Sequence, residues 1–89
     1  MKNAGFEITD IKQTYIGKDY TEGYVFGTKR NKYMPSGMEY VTWAYTKRNG
    51  EYDFYWGHYF AKEEPAWEDY CKRAGIINRE YEQLVIKEG

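Results

Sequence analysis

The chain of 89 residues has one cysteine, one histidine, two prolines and no long apolar run. Each shortage removes a class of protein. The single Cys71 allows no internal disulfide and no cysteine-based metal site. His58 with scattered carboxylates lacks the convergent ligand set that a metal needs, so neither metal nor cofactor is expected. No stretch approaches the roughly 18 apolar residues of a membrane span. Met1 to Glu7 has neither the apolar core nor the cleavage pattern of a signal peptide. Together these features predict a reducing, cytoplasmic setting with no membrane partner. Charge of one sign is missing too. The 13 basic and 14 acidic side chains leave a net charge of −1, which argues against a strongly basic nucleic-acid module.

What the chain has in excess is aromatic surface: 11 Tyr, 4 Phe and 3 Trp, 20% of all residues. Disordered chains are poor in aromatics and rich in net charge, so a folded state is expected. The length fits one compact domain over residues 1–89, able to bury only about 60–65% of its unfolded surface.

The first half reads as strands. Phe6 to Ile16 is rich in β-branched and aromatic residues and runs into the turn composition Gly17-Lys18-Asp19. Gly23 to Lys29 is a second, shorter strand, and Arg30 to Gly37 is an irregular polar loop broken by Pro35-Ser36-Gly37. Met38 to Lys47 and Tyr52 to Phe60 then flank Arg48-Asn49-Gly50-Glu51, the favoured composition of a type I′ hairpin turn. With Asn49-Gly50 as the loop, Arg48 faces Glu51, Tyr45 faces Phe54, Trp43 faces Trp56 and Val41 faces His58. That register sets Val41, Trp43, Tyr45, Phe54, Trp56 and His58 on one face. Tyr40, Thr42, Ala44, Thr46, Asp53, Tyr55, Gly57 and Tyr59 fall on the other.

From Ala61 to Ala74 the pattern becomes helical, with Trp67, Tyr70, Cys71 and Ala74 spaced as one face. Glu63 and Glu64 at its start and Lys72 and Arg73 at its end suit the helix dipole. Pro65 fits the first turn and Gly75 the stop. A second helix is expected from Arg79 to about Lys87, capped by Asn78, with Tyr81, Leu84 and Val85 inward. The predicted fold is therefore α+β: a small antiparallel sheet of about four strands, centred on the 38–47/52–60 hairpin and packed by one or two C-terminal helices.

Residues with chemical potential mostly have ordinary readings. His58 falls on the presumed core face as a partly buried residue with a backbone partner, and Cys71 reads as a small core residue. Glu63, Glu64, Glu68 and Asp69 read as a solvated helix face, with a partner-binding acidic surface as the second reading. No phosphate-cradling glycine loop, nucleophile elbow or zinc spacing is present, so catalytic residues are expected to be absent. Charge is polarised along the chain: residues 1–50 carry 8 basic and 5 acidic side chains, residues 51–89 carry 5 basic and 9 acidic. In general style such a small, motif-poor, aromatic-rich chain resembles the orphan proteins of phages and mobile elements.

The surplus of tyrosine is the functional lead. The core can use Phe6, Ile8, Val25, Phe26, Val41, Trp43, Phe54, Trp56, Trp67 and Leu84, which leaves Tyr40, Tyr55 and Tyr59 over. These three, with Thr42 and Gly57 between them, form an expected recognition face, because Tyr gives large contact area at low entropy cost. The expected function is an interaction module that binds, and inhibits or regulates, a protein partner. A homodimer through the same face is its close variant. The alternative is a binder of nucleotides or single-stranded nucleic acid, with aromatic stacking and with Lys29, Arg30, Lys32, Lys47 and Arg48 on phosphates or on an acidic partner.

Overall fold

The computed structural model describes residues 1–75, so the expected second helix lies outside the described part. Five strands run in chain order: β1 (Lys2–Asn3), β2 (Phe6–Ile16), β3 (Thr21–Arg30), β4 (Met38–Arg48) and β5 (Glu51–Phe60). All neighbours are antiparallel, in the order β1-β2-β3-β4-β5, and among the described residues one helix, α1 (Glu63–Ala74), follows. The α+β class is as expected. The fifth strand is β1, too short to carry a hydrophobic period, which pairs Lys2 with Glu7 and Asn3 with Phe6.

The β4–β5 hairpin turns as its composition requires. Asn49 and Gly50 take φ of 51° and 79°, and Arg48 pairs with Glu51, Lys47 with Tyr52 and Tyr45 with Phe54. Beyond Ala44–Tyr55 the expected register fails. Thr42 faces His58, Val41 faces Tyr59 and Tyr40 faces Phe60, because a bulge inserts one residue opposite Trp43. Trp56, at φ 55°, absorbs the extra residue. From Gly57 onward every side chain of β5 therefore lies on the opposite face from the one the unbroken register assigns. His58 and Phe60 join the Tyr40 and Thr42 face, and Tyr59 joins Trp43.

Each face of the sheet is buried in a different way. On one, α1 lays Ala66, Tyr70 and Ala74 over Phe26 and Tyr40, with Tyr24, Met38 and Phe60 at the margin. The spacing i, i+4, i+8 makes one helix stripe. It is rotated from the expected one. Alanines rather than Trp67 face the sheet, so the helix backbone approaches closely, and Trp67 stays 40% exposed beside Phe26. Gly75, with φ 68°, ends the helix by sending its N–H back to the Cys71 and Lys72 carbonyls.

The other face is closed by its own rings. Phe6, Val25, Val41, Trp43 and Tyr45 are buried there, with Ile8, Tyr52 and Phe54 packed against them. Phe6 on β2 meets Trp43 edge-on at 5.5 Å and reaches Tyr59 on β5 at 6.0 Å, although β3 and β4 lie between. The sheet is curled enough to bring these rings together. Glycines permit the curl: Gly23 and Gly27 flank Val25 on this face, where larger side chains would meet their neighbours. Trp56, counted among the core residues on sequence, is 72% exposed and lies outside both layers.

The Arg30 to Gly37 loop is irregular, as expected, but well bonded. Asn31 and Gly37 close it through an N–H to carbonyl bond of 2.9 Å, and Ser36 Oγ donates to the Ala61 carbonyl at 3.0 Å.

A Cβ at Gly23 would collide with the Lys12 carbonyl oxygen and lie 2.6 Å from Tyr45 Cε1, whereas one at Gly50 meets open space. Gly23→Ala is expected to lower unfolding free energy by about 3 kcal/mol through overpacking. Gly50→Ala should cost only about 1 kcal/mol, from its left-handed backbone. Urea unfolding of the two variants checks the order.

Candidate functional site

The residues expected to form one tyrosine-rich trough are divided by the bulge and by α1. Tyr40 is buried under the helix, and Thr42 has no exposed surface at all. Tyr55 shares their face but is half-buried, with its hydroxyl 2.7 Å from Thr46 Oγ1. Gly57 lies under the Trp43 indole, where a Cβ would come within 2.6 Å of Nε1. Tyr59 is on the opposite face, its hydroxyl accepting from Trp43 Nε1 at 3.3 Å, and it remains 55% exposed. Tyr40, Tyr55 and Tyr59 thus do not share a surface. The aromatic surface that β5 does offer to solvent consists of Trp56 and Tyr59, with Tyr55 edge-on to Trp56 at 5.1 Å.

The expected basic patch is divided as well. Arg30 pairs with Met38 at one end of the β3–β4 ladder, and Lys47 pairs with Thr21 at the other. Nine residue steps separate them, about 30 Å along the strands. Most of these cations already sit on aromatic rings. Lys29 lies over Phe6 at 4.6 Å and 3.7 Å from Glu39, Lys32 is over Tyr33, Lys47 over Tyr52, and Arg48 over Tyr20 at 4.6 Å.

The polar cluster that sequence reasoning missed joins α1 to the sheet. Thr42 Oγ1 donates to Asp69 Oδ2 at 2.6 Å, and His58 Nδ1 lies 2.9 Å from the same oxygen. Arg73 completes it by donating to both Thr42 Oγ1 and the Thr42 carbonyl, at 3.0 and 3.2 Å. Arg73 also covers the Tyr24 ring at 5.2 Å. His58 was expected inside the core with a backbone partner. The bulge instead turns it to the helix side, half-exposed and facing a carboxylate.

A hydroxyl, a carboxylate and an imidazole in contact invite comparison with a catalytic triad, but the order is wrong. In a triad the imidazole stands between nucleophile and carboxylate and takes the nucleophile's proton. Here Asp69 stands between, so His58 does not touch Thr42 Oγ1, which is sealed from solvent. The arrangement is a clamp. Burial alone would raise the Asp69 pKa; hydrogen bonds from Thr42 and His58 and the charge of Arg73 outweigh it and hold the carboxyl below its ordinary value.

Other reactive groups are quiet. Burial, reinforced by Asp10, pushes the Cys71 thiol up, away from the thiolate form that reacts. Burial first and Asp10 second push the Tyr70 hydroxyl up to about 12. Among the described residues no three His, Cys, Asp or Glu side chains gather as metal ligands, and no helix is long and apolar enough to cross a membrane.

A shallow groove of about 770 Å³ runs between β2 and α1. Phe26, Thr28 and Trp67 line it together with Thr9, Asp10, Glu63, Glu64 and Glu68. On sequence these helix carboxylates read first as a solvated face and second as an acidic surface for a partner. Comparison of the chain with family models, with curated proteins and with solved structures found no match.

Because the folded Asp69 pKa is depressed, its contribution to stability is full above the ordinary carboxylate range and is lost as pH falls through the folded value. The wild type is therefore expected to lose stability on acidification below about pH 4, with a shallower dependence in Asp69→Asn. Thr42→Val should cost about 1–3 kcal/mol by removing a buried donor to a charge. Urea midpoints measured across the acid range check both.

Proposed function

We propose that this protein is a small interaction module that binds a protein partner, and thereby inhibits or regulates it, through aromatic side chains displayed on its edge strand β5. The observation that carries the reading is Trp56. Its indole is 72% exposed, and its backbone is left-handed at φ 55°. A left-handed conformation costs an L-residue roughly 1–2 kcal/mol, and glycine would fill the bulge without strain. A tryptophan at such a position is poorly explained by folding and well explained by contact. Backbone strain concentrates at functional positions, and Trp is the residue most enriched at the energetic centres of protein interfaces.

Tyr59, three residues along the same edge strand, adds a second exposed ring, and His58 between them is half-exposed. The Lys47–Arg48 hairpin tip lies at the end of the sheet away from the acidic start of α1, and charge placed apart in this way helps orient an encounter with a partner. The split basic groups and their occupied cations favour a protein partner over a nucleic-acid strand. Single-stranded nucleic acid would need those cations together along one groove.

Affinity purification from the native host, with wild type and Trp56→Gly in parallel, tests the proposal. A partner held by the wild type and lost with Trp56→Gly supports it; equal recovery by both sinks it. Trp56→Gly should itself fold with a stability within about 1 kcal/mol of wild type or above it, since relief of strain offsets the lost ring contact with Tyr55. Thermal unfolding of the variant measures that directly.

A further inference from the structure

The groove between β2 and α1 has a composition that selects its occupant. Its floor is apolar, made by Phe26 and the exposed side of Trp67, whose rings meet edge-on at 5.2 Å. Four carboxylates, Asp10, Glu63, Glu64 and Glu68, stand around it, and no lysine or arginine lines it. Among the described residues none of the four has a salt-bridge partner. Four like charges around an apolar floor repel one another and attract a cation.

Among the described residues the wall formed by β2 is an open sheet edge. β1 pairs only with Phe6 and Glu7, and the Ile8 N–H is taken by the Met1 carbonyl. From Thr9 to Ile16 no described strand covers the outer side of β2. Bulges between Ile8 and Asp10 and between Gln13 and Tyr15 limit its regular stretch to Asp10–Gln13. Bulges are how natural sheets discourage indiscriminate edge pairing, so this edge suits only a short strand. A strand that short needs further contacts from its side chains to bind.

Resting on the interaction reading above, we propose that this groove docks a short extended segment of a partner protein carrying lysine or arginine at alternate positions. Laid along Asp10–Gln13, such a segment turns every second side chain toward α1. The aliphatic stems then cover Phe26 and Trp67 while the charged ends meet Glu64, Glu68 and Asp10. This surface is distinct from Trp56, which lies at the opposite edge of the sheet on β5.

The test uses the full chain and a fluorescein-labelled short peptide alternating lysine and valine, with the glutamate–valine peptide as control, read by anisotropy. The lysine peptide is expected to bind and the glutamate peptide not to. Glu64→Lys with Glu68→Lys should raise the Kd by about tenfold or more, and Trp67→Ala by several-fold. Trp56→Gly should leave the Kd within about twofold. On wild-type protein, amide shifts confined to Thr9–Gln13 and α1 would locate the peptide without relying on any variant. Absence of binding at about 50 mM salt overturns the proposal, since charge attraction is little screened there. So does an equal loss from Glu51→Lys with Asp53→Lys, far from the groove, which would reveal general charge attraction. A dimer in sedimentation that the Glu64/Glu68 reversal dissociates would assign the groove to a second copy instead. Failure here with Trp56-dependent partner capture intact rejects the groove alone; the reverse pattern rejects the Trp56 reading alone.

Discussion

Gly57 lies so near the Trp43 indole that only a residue without a side chain fits there, and Trp56 turns left-handed to bring the chain to that point. This one extra residue in β5 decides what both faces of the sheet contain. Without it, His58 would point toward Trp43 and Tyr59 toward the helix. With it, Tyr59 closes over Phe6 and Trp43, while His58 reaches Asp69 and Phe60 joins the helix layer. The aromatic layer and the polar clamp are both downstream of the same backbone irregularity. A bulge is a common way for a sheet to redirect side chains near a functional surface, and here it also presents an indole to solvent.

The high aromatic content has a structural cause that composition alone does not show. Among residues 1–75, α1 covers one face of the five-stranded sheet, and the other face is covered by side chains of the sheet itself. Rings suit that covering because one Trp or Tyr buries much more area than an aliphatic side chain. Trp43, Phe54, Tyr52 and Tyr45 form a continuous series of ring contacts on the open face, with Tyr52 and Phe54 stacked at 5.7 Å. Of the three tyrosines that looked surplus to a core, Tyr40 is core, Tyr55 is half-buried and Tyr59 is exposed. Tyr40, Tyr45 and Tyr70 are all buried.

What was legible in the sequence was local. Asn49-Gly50 specifies its own turn, so the hairpin register holds from Arg48–Glu51 as far as Ala44–Tyr55. Glu63, Glu64, Pro65 and Gly75 marked the helix because capping chemistry acts within one turn. The bulge was not legible: nothing in a tryptophan announces a left-handed backbone, and the one available sign was a glycine inside a strand. The helix stripe was misplaced because large residues drew attention to Trp67, whereas close packing selected Ala66 and Ala74. The clamp joins residues 27 and 11 positions apart, a juxtaposition that only the folded sheet creates.

Asp69 and Arg73 are held by Thr42 on β4 and His58 on β5, so the helix is drawn toward that half of the sheet. Tyr70 and the two alanines settle over Phe26 and Tyr40, on β3 and β4. The groove between Trp67 and Asp10 borders the side of α1 turned away from the clamp, which is where Glu63, Glu64 and Glu68 stand. One helix thus carries polar contacts to β4 and β5 on one side and borders an apolar, acid-rimmed groove on the other.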